Sequence, residues 1–296
     1  MAGLPRNGQR QHGLQAPLDP HQVGTFVVIT LFAVTCYSLF VPIIISDVAR
    51  GVLVGIYSAL LAIVLYLAYA TTQSDPSDAG LKGSLDGELF CSMCEVNVSS
   101  SAKHCRACNR CVEGFDHHCK WLNNCIGHSN YRSFFLLVSA TVTLLTLQLA
   151  WGIWLVTVSF TQKALYQLRA LSVYGSSFSY VGWQVGLFLL IVLLAATICM
   201  LGELLVFHMV LISKDLTTFE YITAQREIQM NTQQLPGTGM GARSALCRNN
   251  RVADEAMLAN VDVPKQRVKV GINPCKACAM PAPEHKHEQQ ASSSRR

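Results

Sequence analysis

Between Cys91 and His128 this chain carries seven cysteines and four histidines. They fall in the order C-x2-C-x9-H-C-x2-C-x2-C-x4-D-H-H-C-x5-C, with His128 just beyond. Thiols and imidazoles at such spacing are the donors that tetrahedral zinc takes. Eleven donors are on offer: Cys91, Cys94, His104, Cys105, Cys108, Cys111, His117, His118, Cys119, Cys125 and His128. One closed site would strand seven buried donors and three would need twelve, so two closed sites with three groups left over fit best. Chain neighbours such as His104 and Cys105 point in different directions. They are therefore expected to serve different metals, which interleaves the sites.

The leftover groups matter most around Asp116-His117-His118-Cys119. A cysteine attacks as thiolate, and an adjacent imidazole takes its proton. A carboxylate just before the imidazole orients it and stabilises its charge, which is the logic of a catalytic triad. Two nearby cations and Lys120 would add positive potential at Cys119. Spacing alone leaves the opposite assignment open, with Cys119 as a metal ligand and Asp116 as a turn residue.

These residues must be positioned by an apolar chain. Of its 296 residues 51% are hydrophobic and only 14% charged, and the mean hydropathy is +0.31. A soluble protein of this length carries nearly twice that charge fraction. Four apolar runs, about residues 23–46, 52–69, 133–160 and 181–212, are each long enough to cross a hydrocarbon core of ~30 Å. The first is too long for a signal-peptide core, and no small-residue cleavage site follows it. The expected fold is an α-helical polytopic membrane protein: four transmembrane helices, with a small cytosolic cysteine-rich domain between spans 2 and 3 that binds two zinc ions.

Lys and Arg set the orientation. The N-terminus, the middle segment and the tail carry 20 of them, against three in the two other loops. The positive-inside rule then places both termini and the cysteine array in the cytosol. In that compartment dense cysteine means metal or thiol chemistry rather than disulfides. The net charge of +5 suits anionic lipid heads and phosphorylated ligands. With no basic helix or aromatic-rich sheet pattern, nucleic acid is not an expected partner.

The organisation expected along the chain is a flexible N-terminus (1–22), spans 1 and 2 (23–71), and the cysteine-rich domain (72–132) entered through a Ser- and Gly-rich linker. Spans 3 and 4 follow (133–212) with a short lumenal loop over 163–180. The tail (213–296) starts with a helical stretch over 215–230 and is mostly disordered after about 235. No internal repeat is evident. Residues 91–132 hold too few aliphatic residues for an ordinary core, so metal must fold them.

The array resembles the cysteine-rich domain of the DHHC-type protein S-acyltransferases (palmitoyltransferases). The likeness runs on through Trp121-Leu122-Asn123-Asn124-Cys125-Ile126-Gly127 to Asn130-Tyr131. Asp75-Pro76-Ser77 is similar to that family's Asp-Pro-Gly motif after the second span, and Thr217-Thr218-Phe219-Glu220 to its Thr-Thr-x-Glu motif after the fourth. The resemblance covers roughly residues 23–225. It implies one zinc on Cys91, Cys94, His104 and Cys111, and a second on Cys105, Cys108, His118 and Cys125. It further implies Cys119 as nucleophile, His117 as general base and Asp116 as the acid that orients it. The implied co-substrate is acyl-CoA, whose fatty acyl group passes through Cys119 to juxtamembrane cysteines of proteins at the cytosolic face. Lys103, Arg106 and Arg110 are candidates for the CoA phosphates. Endoplasmic reticulum, Golgi or endosomal membranes are the implied location.

This chain departs from that family pattern at Lys120, where most members have proline, and at Ser99-Ser100-Ser101-Ala102-Lys103, where an Arg is common. A non-catalytic zinc-containing adaptor for signalling partners is the rival reading, and a RING-like ligase has the wrong ligand order. Glu203 lies inside the fourth span, where a carboxylate is costly, so it is expected to face a cavity, to pair with another span, or to be protonated. Cys275-x2-Cys278 with His285 and His287 is a loose third metal motif, and Cys36 and Cys247 are candidates for acylation.

Overall fold

The protein is described here by a computed structural model that covers residues 8–83 and 87–233. Helix α1 (Pro20–Thr35) opens with proline at its first position and Asp19 as N-cap, whose carboxylate accepts from the His21 amide. Both choices satisfy the orphan donors of a helix start. A π turn (Cys36–Phe40) and a 3-10 turn (Val41–Ile43) extend it, so the first apolar helix runs over Pro20–Ile43. Helix α2 (Asp47–Gln73) is capped by Ser46, with Asp47 in its first turn where the helix dipole favours a carboxylate. Asp47 and Arg50, which read as a break between spans, are thus the start of α2. Helices α3 (Tyr131–Thr161), α4 (Lys163–Tyr174), α5 (Tyr180–Ser213) and α6 (Thr218–Gln233) follow. Much of the expected lumenal loop is therefore the short helix α4.

Among the described residues, four helices are long and apolar enough to span a bilayer: Pro20–Ile43, α2, α3 and α5. At 1.5 Å per residue the 31 residues of α3 extend about 46 Å, past a hydrocarbon core of ~30 Å. Helix α3 packs on α2 and on α5, and Phe40, Tyr57, Leu155, Leu187 and Leu194 are buried between the helices. Gln148 sits fully buried among them. Its amide donates to Phe32 O (3.0 Å) and accepts from the Tyr57 hydroxyl (3.1 Å), as a polar group in an apolar interior requires. Glu203 lies exposed on α5 and, among the described residues, makes no hydrogen bond or ion pair to another span.

Between α2 and α3 the chain forms three short antiparallel hairpins: β1 (Leu89–Cys91) with β2 (Val96–Val98), β3 (Lys103–Cys105) with β4 (Arg110–Val112), and β5 (His117–Cys119) with β6 (Asn124–Ile126). Their registers superimpose. Cys91 faces Val96, Cys105 faces Arg110 and Cys119 faces Asn124. Each turn ends on a non-glycine residue at positive φ: Glu95 (51°), Asn109 (50°) and Asn123 (51°). The unit recurs every 14 residues, which corrects the reading that the chain has no repeat. The second and third units also share side chains, since His-Cys-x3-Asn-x-Cys recurs at 104–111 and 118–125, while the first keeps Cys91, Cys94 and Val98 of the pattern.

The N-terminal segment also differs from expectation. From Gly8 onward it is not a loose lead but lies against the hairpins: the Arg10 amide donates to Cys108 O (3.0 Å), and the Gly13 amide to Thr72 O (2.7 Å). After α2, Asp75-Pro76-Ser77 is likewise part of the domain, with Ser77 bridged to Val112. Asp78 is buried and binds the Ser99 hydroxyl (2.6 Å) and the Gly80 amide (2.9 Å). Residues 220–233 of α6 belong to a separate unit, and their helical form agrees with the expectation for 215–230. The Cys275/Cys278 motif, Cys247 and the glycine run at 237–241 lie outside the described residues.

Candidate active site and metal centres

Side chains alternate across a strand, and this divides each hairpin's labour. In the second hairpin, His104 and Cys111 are cross-strand partners on one face, while Cys105 lies on the other. In the third, His118 and Cys125 are partners on one face, and His117 and Cys119 share the other. The donors consequently collect into two sets, Cys91/Cys94/His104/Cys111 and Cys105/Cys108/His118/Cys125, with the ligand atoms of each within 4.8 Å of one another. Each set takes the two turn thiols of one hairpin and the His/Cys pair of the next.

The donor geometry fits a tetrahedral ion. Cys94 Sγ lies 3.3 Å from His104 Nδ1, Cys91 and Cys111 Sγ are each 3.8 Å from that nitrogen, and Cys111 Sγ is 3.7 Å from Cys94 Sγ. In the second set, Cys108 and Cys125 Sγ lie 3.4 and 3.8 Å from His118 Nδ1. Bonds of 2.3 Å to sulfur and 2.0–2.1 Å to nitrogen, in a tetrahedron, require separations of about 3.6 Å and about 3.8 Å. His128, a surplus donor, is exposed and belongs to neither set.

On the remaining face of the third hairpin, His117 Nδ1 hydrogen-bonds Asp116 Oδ2 at 2.6 Å, and Cys119 is a further partner of His117. Asp116 is 2% exposed. Thr218 holds it from the start of α6: its amide donates to Oδ1 (2.8 Å) and its hydroxyl to Oδ2 (2.9 Å). Burial raises the Asp116 pKa, but the bonds from His117 and Thr218 outweigh it, so the carboxyl stays below its ordinary value. For His117, burial lowers the pKa, and hydrogen bonds to Asp116 and Cys119 more than reverse this, bringing it to about 9. Asp116 thereby fixes the tautomer and favours a proton on the ring. Cys119 is buried in the same apolar cluster as Phe134, Leu137 and other helix residues, so an alkyl chain attached to it would stay among apolar neighbours.

Sequence reasoning gave no part here to His208 of α5. It is buried, packs 5.8 Å from the His117 ring and 5.1 Å from Phe134, and shares a 3.1 Å hydrogen bond with the Tyr131 hydroxyl. Asp116, His117 and His208 gather their donor atoms within 4.8 Å. The Asp116–His117 contact is shorter than two ligands of one zinc would keep, so those two form a hydrogen-bonded pair, while the bond of His208 runs to Tyr131.

The three basic candidates separate. Arg106 is exposed and Lys103 half-buried, so both remain available to an anion. Arg110 is not: it is 1% exposed, and its guanidinium donates to Asp75 Oδ1 (2.7 Å), Gln11 O (2.8 Å), Ser77 Oγ (3.2 Å) and Asn124 Oδ1 (2.8 Å). Its fork is consumed in joining the Asp75-Pro76-Ser77 segment to the third hairpin, which corrects its assignment to CoA phosphates. Asn124 then donates to Thr71 O, Thr72 O and Ser74 O (3.1, 3.2 and 2.9 Å), the open carbonyls at the end of α2. Asn130 bonds Ser74 Oγ (2.7 Å) and Cys125 O (3.0 Å). Both asparagines sit in the motif stretch, yet nothing in their type or spacing announces these bonds.

The DHHC palmitoyltransferase family model matches residues 84–225. A mouse protein named palmitoyltransferase ZDHHC11 is 30% identical over 263 residues, 75% of this chain and 73% of its own length. Its human counterpart of the same name is 30% identical over 271 residues, covering 78% of this chain and 63% of that protein. A probable protein S-acyltransferase of Arabidopsis thaliana is 36% identical over 148 residues, 49% of this chain. The chain matches only 20% of that plant protein's length, and 50% of a second one's.

Proposed function

This chain belongs to the DHHC palmitoyltransferase family, and on that premise we propose that it is a protein S-acyltransferase working through a Cys119 acyl-enzyme. The observation that carries the reading is the third hairpin. One of its faces completes a metal site, and the other holds Asp116, His117 and Cys119 in a hydrogen-bonded line.

In the first half-reaction the Cys119 proton is held on His117, whose ring keeps a proton up to about pH 9, and the sulfur attacks the thioester carbonyl of acyl-CoA. The carbonyl–sulfur bond of CoA breaks as the new one forms, and the departing CoA sulfur takes the proton back from His117. In the second, the thiol of a protein cysteine repeats the attack, and Cys119 is released as a thiol. Asp116 stays ionised throughout and holds the ring. The two ions are assigned as zinc from the sulfur-rich donor sets and their spacing. Zinc there folds the hairpins and takes no part in the transfer. Lys103 and Arg106 are the remaining cations offered to CoA phosphates.

The loop charges support a cytosolic array and cytosolic termini, with protein substrates whose cysteines lie near the bilayer, and the family resemblance favours endoplasmic reticulum, Golgi or endosomal membranes. Each buried CH2 of the acyl chain contributes roughly 0.8 kcal/mol, which keeps the chain in apolar surroundings while its thioester reaches Cys119.

The test incubates purified protein with clickable palmitoyl-CoA and measures hydroxylamine-sensitive label together with metal content. Wild type is expected to label and to carry two zinc ions, and Cys119→Ser to carry two and not label. Equal labelling of both proteins would return the chain to the adaptor reading.

A further inference from the structure

The first two hairpins are clamped by metal through their turn thiols. The third has Cys119 and Leu122 at those positions, and no fourth hairpin follows to supply a His/Cys pair. Its backbone is nevertheless the same, down to the positive φ of Asn123. Something other than metal holds this turn, and the chain that touches it is the segment before α1. Gly13 O accepts from Asn123 Nδ2 (3.2 Å) and Gln22 Nε2 (3.0 Å). Asn123 Nδ2 also donates to Pro17 O (3.2 Å), and Gln22 Nε2 reaches Leu122 O (3.4 Å). Gln22 is 1% exposed, although it opens an otherwise apolar helix. The His21 ring meets Trp121 edge-on at 5.1 Å. The approach is so close that a Cβ on Gly13 would stand 2.0 Å from Leu122 O and 2.7 Å from Thr72 Cγ2, so only glycine fits.

Resting on the reading of Cys119 as nucleophile, we propose that residues 10–22 are a strap that takes the structural place of a metal at the third hairpin, with Gly13, Gln22 and Asn123 as positioning residues for acyl transfer. The chemistry explains the substitution. A metal would grip this turn by Cys119 Sγ and consume the nucleophile. The strap grips a backbone carbonyl and an asparagine amide instead, so the turn is fixed while the sulfur stays free to react. Arg10 and Gln11 anchor the strap's other end on the second hairpin, through Cys108 O and the Arg110 side chain. The reactive turn is thus referenced to a metal-clamped one.

The test compares Asn123→Gly with Asn109→Gly in the full chain. Glycine tolerates the positive φ at both turns, so only the strap bonds differ. Gly13→Val displaces the strap outright, and Gly24→Ala, where an added Cβ meets nothing within 4 Å, is the neutral control. Metal content, the pH profile of Cys119 alkylation by iodoacetamide read on its peptide, and the kcat and KM of acyl-enzyme formation are measured for each. Asn123→Gly and Gly13→Val are expected to keep two metals, to alkylate Cys119 several-fold faster, and to lose between about tenfold and a hundredfold in kcat with KM little changed, the cost of a misplaced reacting atom. Asn109→Gly and Gly24→Ala should match wild type. Wild-type alkylation and kcat in Asn123→Gly would overturn the proposal, as would a loss of metal that accounts for its lost activity. Should Gly13→Val fail to fold, Asn123→Gly decides alone. Should wild type form no acyl-enzyme, the acyltransferase reading falls, while the alkylation comparison still judges the strap.

Discussion

The second and third hairpins share a backbone and differ in what their first turn position does. In the second, Cys105 belongs to a metal set. In the third, the equivalent Cys119 faces His117. The partner thiol Cys108 is replaced by Leu122, which packs with the helices. One lost thiol and a neighbouring carboxylate separate the hairpin proposed to be reactive from the one proposed to be structural. The comparison teaches that the geometry of metal binding also suits a cysteine for the proposed attack: a buried sulfur, a fixed direction and an imidazole two residues away.

The widest difference between the hairpins should appear on deleting that cysteine from each. Cys105→Ala is expected to drop the metal count from two to one and to unfold the domain, because structural zinc contributes an apparent 10–16 kcal/mol. Cys119→Ala should keep both metals and melt as wild type does. Metal analysis with thermal denaturation measures both, and metal loss in Cys119→Ala would erase the distinction. A smaller effect should isolate the catalytic face. Asp116→Asn can still accept from Thr218 but no longer stabilises a charged His117. Acyl-enzyme formation should fall by roughly 10² to 10⁴ at unchanged metal content, measured by single-turnover labelling.

The smallest effect concerns pH. His117 is raised in the fold from 6.5 to about 9, so its charged form stabilises the native state. That contribution is complete below pH 6.5, provided Asp116 is ionised, and disappears as pH rises through about 9. Wild type should therefore exceed His117→Gln by on the order of 1–3 kcal/mol near pH 6, and the gap should close by pH 10. Denaturant unfolding across that range measures it, and a gap that widens with pH would contradict the assignment.

Much of this was legible in the sequence. The four spans follow from hydropathy alone, and the two ligand sets and the Asp116-His117-Cys119 line match those the motif resemblance implied. Charge misled at Arg110, since a cation in a basic segment reads as an anion site until its fork is seen filled by Asp75, Gln11, Ser77 and Asn124. The strap was invisible because its bonds run mostly to main-chain carbonyls, which every residue offers, and its one diagnostic side chain is the hydrogen of Gly13. The 14-residue period was legible in the second and third hairpins, where His-Cys-x3-Asn-x-Cys recurs at 104–111 and 118–125; the first hairpin shares little beyond its two turn cysteines and Val98, which hides the third copy.

Asn124 carries one more implication. By seizing three carbonyls at the end of α2 it fixes how deep the neighbouring thiol rides, like a depth stop on a drill. Gln22 does the same from the first turn of α1, and Asn130 at the head of α3. Cys119 cannot shift along the bundle without pulling on three of the long apolar helices. If Cys119 is the nucleophile proposed above, a recipient thiol has to reach its level, and tether length above the lipid becomes a criterion of selection in its own right.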